Sequence, residues 1–476
     1  RKVTICDSHQ APNQKQYYCD VARLNLRSPS GKRSASACAL RGIRRVSLAE
    51  YGKSSEFWGF IKDPLYGYIR LKESEKNILD TTAVQRLRRI KQLSGAEYVY
   101  PAANHTRFEH SLGASHLASM LATCLPVELR TEAVTKLKMA ALLHDVGHAP
   151  FSHLLEPTMK QVLGKTHEDL GSWIITKSAL ADALRREGID PNEIGKLAVG
   201  RLTDKERPFM NQIIRSSVDV DKMDFVLRDS YHTGAGYGTV DVFRLIYTMD
   251  VLDGDLAVNS TAIPTLETFL LARLESFRTI YFHRASRAAQ IMVQEALEQA
   301  EPELKLLSFK TPEDYLALDD YSVWSRLKTC KKSKSIIEDV ENRRLIKCSY
   351  EKTFFVKDEL LSSVFTNEAV RKQMEQEIAH KAKIDPDQVW IDVPSLPSVP
   401  YHYAMEIEPM DIPVFHETRD GKKIRVKVTE LSQIIGVMRV FMNIMRVYTI
   451  LKHREAVMKA SEEILGKPTI SSQVSY

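Results

Sequence analysis

Hydrophobic positions divide the chain into three stretches. From about Phe57 to about Ala300, Leu, Ala and Met recur at spacings of three and four, with only short Gly and Pro interruptions. This period is typical of amphipathic helices. Residues 1–55 are rich in Ser, Arg, Gln and Asn without a sustained apolar period, which predicts a variable or poorly ordered leader. We therefore predict a leader (1–55), a helical core (56–300) and a third region (301–476).

The third region has a mixed pattern. A helical period runs from about Asn367 to Lys383, and a second is expected from roughly Leu431 to Leu465. Between them, Val414 to Val428 alternates apolar and charged residues around Asp420-Gly421, which favours a hairpin. The fold class predicted is mainly α, with a helical core and a smaller α+β C-terminal region.

Three helices of the core each place a polar side chain in an apolar row. His144, followed by Asp145, ends one such row, and His110 lies inside a second helix from Arg107 to about Cys124. Asp221 belongs to a third. An isolated inward histidine is more often a hydrogen-bonded core residue, but the combination of these four side chains indicates a shared site.

A buried carboxylate without a partner costs several kcal/mol, so Asp145 and Asp221 need a cation or a cluster of donors. Two imidazole nitrogens and two carboxylate oxygens suit a divalent ion and leave coordination positions for water and a phosphate oxygen. Mg, Mn, Fe and Zn all remain open.

The order His110, His144-Asp145 and Asp221 resembles the signature of the HD-domain phosphohydrolase superfamily. Within it, four stretches resemble the dNTP triphosphohydrolases, which include the SAM-and-HD-domain dNTPase and its prokaryotic relatives. They are KQLSGAEYVYPAANHTRFEHSLG, LLHDVGHAPFSH, THE and DVDKMDFVLRD. The similarity spans roughly residues 58–290, about half of the chain.

This resemblance implies a catalytic centre. The ligands of its metal fall on His110, His144, Asp145 and Asp221. The histidines around the scissile phosphorus fall on His148, His153 and His167, and Glu156 stands where the family has the aspartate that pairs with one of them. In such enzymes water attacks the α-phosphorus, which yields a deoxynucleoside and inorganic triphosphate.

The resemblance also implies a nucleotide pocket. Arg107 and Lys222 match cations that contact phosphate, and Phe225 replaces a tyrosine of that set. The remaining substrate positions contact the sugar or close the pocket, and they are Gln92, Leu93, Asp229 and His283.

A second site is implied as well. Asp80, Gln85 and Arg88 match residues that bind a guanine nucleotide, GTP or dGTP, at a subunit interface in regulated members. The same residues also suit an ordinary amphipathic helix with a charged face. The expected assembly is a homo-oligomer, a dimer or a tetramer.

Composition restricts the cellular setting more than the chemistry. The net charge of +6 permits nucleic acid as a partner without indicating it. The six cysteines form no CxxC pair, which fits the reducing cytoplasm or, in a eukaryote, the nucleus. No run of about 18 apolar residues predicts a membrane span, and no secretion signal is evident.

Two other functions remain open at this point. One is an HD phosphomonoesterase or phosphodiesterase that acts on another nucleotide. The other is a non-catalytic nucleotide-binding or nucleic-acid-binding HD protein, which the basic residues near Lys331 motivate.

Overall fold

A computed structural model describes residues 57–203, 207–237, 239–356, 367–397, 412–437 and 441–468. The prediction for residues 1–55 lies outside these ranges. Within them, the fold is mainly α, as predicted from the sequence. None of the described helices is long and apolar enough to cross a lipid bilayer.

The helices follow one another along the chain with short connections. Up to residue 250 they are α1 (Glu73–Leu79), α2 (Thr82–Arg86), α3 (Arg107–Cys124), α4 (Thr131–Leu143), α5 (Glu156–Leu163), α6 (His167–Lys177), α7 (Ala179–Arg186), α8 (Pro191–Ala198), α9 (Phe209–Ile214), α10 (Val220–Thr233) and α11 (Val242–Thr248). Later helices are α12 (Ile263–Ser276), α13 (Arg284–Leu304), α14 (Pro312–Leu316), α15 (Asp320–Thr329), α16 (Lys334–Glu341), α17 (Glu368–Ala382), α18 (Val428–Leu431), α19 (Gln433–Val437) and α20 (Arg454–Leu465).

Ten strands form small sheets. They are β1 (Phe57–Asp63), β2 (Gly67–Lys72), β3 (Met249–Leu252), β4 (Asp255–Asn259), β5 (Lys347–Val356), β6 (Val389–Asp392), β7 (Ser395–Pro397), β8 (Val414–Glu417), β9 (Lys423–Val426) and β10 (Phe441–Thr449) among the described residues. β1 pairs with β2, one sheet has the order β3-β4-β8-β9, and another has β5-β10-β6, with β7 also paired to β10.

The core helices that carry the predicted ligands form where their apolar rows predict. Helix α3 begins after Thr106 and buries Leu112, Leu117 and Leu121. Helix α10 begins after Asp219, whose carboxylate accepts a hydrogen bond from the backbone N–H of Lys222 at 2.8 Å and so caps the first turn. α3 packs against both α4 and α10, so the three rows face one interior.

Two parts of the fold differ from the sequence-based expectation. The hairpins β1–β2 and β3–β4 interrupt the stretch predicted as helical. The predicted helix over Leu431 to Leu465 is wrong, because residues 441–449 form β10 and only α20 is a long helix there. Residues 444–449 of this central strand are all buried, so the alternation of apolar and polar residues that reveals a half-buried strand is absent.

The other C-terminal predictions are confirmed. Helix α17 begins after Asn367, whose side chain caps it. Strands β8 and β9 form the predicted antiparallel hairpin, with Val414 opposite Val426. Its turn needs Gly421, which has a φ of 81°.

A strained loop connects α4 to α5. Phe151 and Ser152 both have left-handed backbones, with φ of 59° and 56°, a conformation that costs non-glycine residues about 1 kcal/mol or more each. The carboxylate of Asp320 accepts a hydrogen bond from the Phe151 N–H at 2.7 Å, and the Ser152 hydroxyl donates to the Lys91 carbonyl at 2.6 Å. The region after residue 300 thus helps to hold this loop.

Candidate metal centre and active-site cavity

Four side chains from three core helices and the adjoining turn converge on one point. Nε2 of His110 lies 3.3 Å from Nε2 of His144 and 3.1 Å from Oδ1 of Asp221. Asp145 completes the group, with Oδ1 3.3 Å from Nε2 of His144 and Oδ2 3.7 Å from Nε2 of His110. These are the four residues predicted as metal ligands.

In both imidazoles, the hydrogen bond of Nδ1 determines that Nε2 faces the centre. Nδ1 of His144 lies 2.7 Å from the Ala141 carbonyl, which only accepts, so this nitrogen carries the hydrogen. Nδ1 of His110 lies 2.8 Å from Oδ2 of Asp224. In the neutral rings both Nε2 atoms therefore present lone pairs to the same point, and such a pair needs a cation or a proton between them.

The electrostatics of the centre favour positive charge. Burial opposes protonation of His110, but the hydrogen bonds that its ring donates to Asp221 and Asp224 outweigh it and raise its pKa to about 10. Burial likewise opposes ionisation of Asp145 and Asp221. Arg107, His144 and His148 nevertheless hold the pKa of Asp145 well below its usual range, and His110 and His144 do the same for Asp221. The carboxylates are therefore ionised and attract a cation.

The donor set fits a divalent ion. Neighbouring ligand atoms lie about 3.0–3.4 Å apart when each bonds an ion at about 2.1 Å, and the distances here are close to that range. Nitrogen and oxygen donors together suit Mn, Fe, Zn or Mg.

Asp224 supports this centre from behind. Its two oxygens accept hydrogen bonds from Nε and Nη2 of Arg228 at 2.8 and 2.9 Å, and one also accepts from the Tyr66 hydroxyl at 2.8 Å. Gly113 leaves room for this pair, since a Cβ there would lie 2.0 Å from Oδ1 of Asp224. Sequence reasoning missed the hydrogen bond between Asp224 and His110.

The three predicted catalytic histidines form a second cluster beside the first. Glu156 bridges two of them, with Oε2 3.1 Å from Nδ1 of His153 and Oε1 3.0 Å from Nδ1 of His167. His148 stacks on His167 with ring centroids 4.1 Å apart, and its Nε2 lies 3.2 Å from Oδ1 of Asp145. Ligand nitrogens of the three rings lie within 4.8 Å of one another, so this cluster too could hold a cation.

Hydrogen bonds, burial and neighbouring charges shift the pKa values of Glu156 and His148 in the second cluster. Burial opposes ionisation of Glu156, but both histidine hydrogen bonds lower its pKa below the usual range. Burial together with the positive charges of Arg107 and His167 keeps the pKa of His148 well below its usual value. Neutral His148 therefore donates to Asp145, while the ionised Glu156 accepts hydrogen bonds from Nδ1 of both of its partners.

A close backbone approach holds the two clusters together. A Cβ at Gly147 would lie 2.0 Å from the carbonyl oxygen of His167, so only glycine fits there. Nη1 of Arg86 donates to the His148 carbonyl, and the Tyr315 hydroxyl donates to the Gly147 carbonyl, both at 2.8 Å.

The two predicted phosphate-binding cations, Arg107 and Lys222, lie beside the four predicted metal ligands. Nη1 of Arg107 is 2.6 Å from Oδ2 of Asp145, and its Nε donates to the Ser152 hydroxyl at 2.8 Å. Nζ of Lys222 is 2.7 Å from Oδ2 of Asp219.

A cavity of about 350 Å³ opens over both clusters. Among its lining residues are ten that the sequence singled out, namely Gln92, Arg107, His144, Asp145, His148, His153, His167, Asp221, Lys222 and Phe225. Sequence reasoning did not include Glu168 and Arg215, an ion pair at the rim, or Phe277. Phe277 and Tyr281 bound a π-helical turn after α12, a departure from α geometry that is frequent at functional sites.

Three of the predicted substrate residues lie behind this lining. Asp229 is fully buried, 2.8 Å from Nε2 of His105 and hydrogen-bonded by the Tyr281 hydroxyl. Leu93 packs in a small apolar cluster with Ile280. His283 caps α13 and packs edge-on against Tyr100, so its side chain is not among those that line the cavity. Their roles remain predictions.

The three predicted effector residues lie near one another on the surface. Nε of Arg88 donates to the side-chain oxygen of Gln85 at 2.9 Å, and the guanidinium lies 3.5 Å above the Phe108 ring centroid. Asp80 is exposed and pairs with Lys76. Phe108 lies two residues before His110, so this surface connects directly to the helix of the metal centre.

Comparison with known proteins agrees with this architecture. The model of the HD domain matches residues 107–229, and that of the HD-associated region matches residues 240–475. An uncharacterized protein of Methanocaldococcus jannaschii is 31% identical over 346 residues, which cover 72% of this chain and 70% of that one. The chain belongs to the HD-domain family.

The relatives whose names state an activity are matched over a smaller share of their length. The deoxynucleoside triphosphate triphosphohydrolase SAMHD1 homolog of Dictyostelium discoideum is 32% identical over 64% of each chain. Human SAMHD1 is 28% identical over 60% of this chain and 54% of its own. The chain thus spans somewhat more than half of these two relatives.

Solved structures cover most of the fold. A hypothetical protein from Aquifex aeolicus has a TM-score of 0.68 at 26% identity and covers 85% of this chain and 99% of its own. A phosphohydrolase from Bacteroides thetaiotaomicron has a TM-score of 0.64 at 25% identity over 83% of this chain and all of its own.

Proposed function

We propose that this protein is a metal-dependent hydrolase that converts deoxynucleoside triphosphates to deoxynucleosides and inorganic triphosphate. The observation that carries the proposal is the adjacency of two clusters, the His/Asp centre that fits a divalent ion and the histidines joined by Glu156. The activity for which the Dictyostelium and human relatives are named supports a dNTP as the substrate.

Different residues of this chain would bind the ion, stabilise the phosphate charge and orient the ligands. His110, His144, Asp145 and Asp221 would hold the ion, which when bound supplies Lewis acidity for a phosphate oxygen and for an attacking water. Arg107 and Lys222 place positive charge beside the same point and stabilise the charge of the phosphate chain. Asp224 and His148 keep His110 and Asp145 oriented through hydrogen bonds.

His167 is the preferred proton donor. Its Nδ1 is bound to Glu156, so Nε2 is the nitrogen left for the substrate, and the carboxylate stabilises the charged ring. In the proposed reaction water adds to the α-phosphorus, the bond to the nucleoside 5′-oxygen breaks, and that oxygen takes a proton. His153, bound to the same carboxylate, provides a second ring that contacts the phosphates.

The sugar and base occupy the side of the cavity beyond Gln92. Leu93 and Asp229 lie behind this wall, where Leu93 packs beneath it and Asp229 fixes the Tyr281 hydroxyl. We therefore assign them to shaping the sugar site. His283 would act on the base side through the adjoining turn.

Regulation by a guanine nucleotide belongs to the same proposal. Asp80, Gln85 and Arg88 would contact GTP or dGTP, where the amide and guanidinium suit a guanine edge and a phosphate. The protein would then act as a homo-oligomer, with the effector at a subunit interface.

A product assay tests the proposal. Purified protein is incubated with each dNTP and Mg or Mn, with and without GTP, and deoxynucleoside, triphosphate and phosphate are separated by ion exchange. Deoxynucleoside with intact triphosphate supports it, and dependence on GTP supports the effector site. Stepwise release of phosphate would instead identify a phosphomonoesterase, and the absence of turnover in every condition would refute hydrolysis of dNTPs.

A further inference from the structure

A fully buried histidine lies behind the wall of the active-site cavity. The side chains of His105 and Asp229 are both inaccessible to solvent, and Nε2 of His105 lies 2.8 Å from Oδ1 of Asp229. The other oxygen of this carboxylate accepts a hydrogen bond from the Tyr281 hydroxyl. Tyr281 is among the residues that line the cavity. The three side chains therefore form a chain of hydrogen bonds that leads from the interior to the cavity wall.

Hydrogen-bonding capacity determines the direction of this chain. Within the described ranges, Nδ1 of His105 has no hydrogen-bond partner, so a hydrogen on that nitrogen would be buried without an acceptor. Nε2 therefore carries the hydrogen of the bond to Asp229. Tyr281 has a single hydroxyl hydrogen, and the same carboxylate accepts it. The phenolic oxygen can then only accept a hydrogen bond from a ligand in the cavity.

Asp229 has no direct access to such a ligand. Its side chain is 0% exposed, and each of its oxygens already accepts a hydrogen bond. Its effect on a bound nucleotide passes through the Tyr281 hydroxyl, and the second donor that fixes its orientation is His105.

The ring of His105 is itself held in place. The His232 ring stacks on it, with centroids 4.4 Å apart and planes 14° from parallel. The backbone of His105 makes a separate contact, because its carbonyl accepts a hydrogen bond from the N–H of Gln92 at 3.1 Å. A substitution of the His105 side chain therefore breaks the bond to Asp229 and leaves the link to Gln92.

We propose that His105 is a positioning residue for the nucleoside, which through Asp229 holds the Tyr281 hydroxyl as an acceptor for a donor group of the substrate. The inference rests on the proposed function, because it assumes a deoxynucleotide in the cavity. Such a nucleotide offers two kinds of donor, the 3′-hydroxyl of the sugar and the exocyclic amine of the base.

The test is binding of three ligands to the Mn²⁺-loaded protein. They are inorganic tripolyphosphate, a dATP analogue with a methylene group in place of the 5′-oxygen, and the 3′-deoxy form of that analogue. The methylene group blocks release of the nucleoside in the proposed reaction, so dissociation constants are measured without turnover. The proteins compared are the native chain, His105→Phe, His105→Gln and His232→Phe.

Each variant has a distinct expected result. His105→Phe keeps a ring for stacking but loses the N–H, so the dATP analogue should bind about tenfold more weakly, while tripolyphosphate, which has no nucleoside, should bind as before. His105→Gln retains an amide donor for Asp229 and should recover most of the affinity. His232→Phe is the matched control, because it preserves the stacked ring and touches neither bond of Asp229, and it should bind all three ligands like the native protein.

A double-mutant cycle tests the route through Tyr281. If His105 acts through the hydroxyl, His105→Phe combined with Tyr281→Phe should bind the dATP analogue no more weakly than Tyr281→Phe alone. Losses that multiply would overturn the inference. The 3′-deoxy analogue identifies the donor. A loss in His105→Phe that disappears with this analogue assigns the sugar hydroxyl, and a loss that persists assigns the amine of the base.

A purely structural role for His105 would give a different pattern. Equal weakening of tripolyphosphate and the dATP analogue, an equal loss in His232→Phe, or no loss in His105→Phe would each overturn the inference. The native protein gives a second readout if His105→Phe does not fold. The NMR signal of the His105 Nε2–H, assigned by its absence from His105→Gln, should shift with the dATP analogue and not with tripolyphosphate. A signal that neither ligand moves would also overturn the inference.

The outcome is independent of turnover. Native protein that releases triphosphate from dNTPs, while His105→Phe binds the dATP analogue normally, refutes only the role of His105. Native protein whose affinity for the analogue depends on His105 but which does not cleave dNTPs refutes only the proposed reaction. In an active enzyme, His105→Phe should raise KM for dNTP about tenfold, with a smaller change in kcat.

Discussion

Oε1 of Glu156 lies 3.0 Å from Nδ1 of His167, and the other oxygen of the same carboxylate holds His153. One carboxylate therefore orients two imidazoles at the edge of the cavity. The glutamate side chain is long enough to reach both rings.

The first prediction concerns this carboxylate. Glu156→Gln removes the charge that stabilises protonated His167, so kcat should fall about 100-fold or more, because a positioned general acid contributes at least that much. The bound metal should be unchanged, since Glu156 is not among the convergent ligands. Steady-state kinetics with metal analysis of the same sample checks both, and unchanged kcat would exclude His167 as the supported acid.

The second prediction separates metal binding from proton transfer. Asp145→Ala should lose the ion and reduce activity about 1000-fold or more, because several kcal/mol of charge stabilisation go with it. His167→Ala should lose turnover but retain the ion. Elemental analysis after dialysis decides the point, and activity in a metal-free Asp145→Ala protein would contradict the mechanism.

The third prediction concerns the space behind His110. The new Cβ of Gly113→Ala would overlap the Asp224 carboxylate and the Arg228 guanidinium, at 2.0 and 2.4 Å. We expect a loss of about 1–3 kcal/mol of stability and weaker metal binding. The control is Gly171→Ala, another helical glycine, where the nearest atom would be 3.5 Å away. Chemical denaturation compares the two, and equal stabilities would contradict the packing described.

The fourth prediction concerns Asp320, which holds the backbone N–H groups of Phe151 and Lys91. Burial raises its pKa to about 6, although those two hydrogen bonds oppose the shift. A folded-state pKa above the unfolded value of about 3.9 gives stability that is complete at low pH and is lost as the pH rises through about 6.

Asp320→Asn removes this titration. The free energy of unfolding of the native protein minus that of the variant should therefore fall by about 2 kcal/mol between pH 4.5 and 7.5. Urea denaturation of both proteins at the two pH values measures it. A difference that stays constant or rises with pH would show that Asp320 is ionised throughout this range.

The structure brings together the four side chains predicted as metal ligands, which belong to short contiguous motifs on or beside helices with clear apolar rows. Sequence reasoning missed partners that are distant along the chain. His110 and Asp224 are 114 residues apart, and Phe151 and Asp320 are 169 apart. Neither pairing has a local signal.

The misassigned C-terminal helix has a different cause. Strand β10 is buried on both faces over residues 444–449, and a mainly apolar stretch without alternation fits a buried helix as well as a central strand. Only its pairing with β5 and β6, which are distant in sequence, decides between them.

The central claim is that water attacks the α-phosphorus and the nucleoside 5′-oxygen leaves. Hydrolysis of a dNTP in ¹⁸O-labelled water, followed by mass spectrometry of both products, tests it most directly. The account predicts one ¹⁸O atom in the inorganic triphosphate and none in the deoxynucleoside. Label in the deoxynucleoside, or in free phosphate released beside a deoxynucleoside diphosphate, would contradict it.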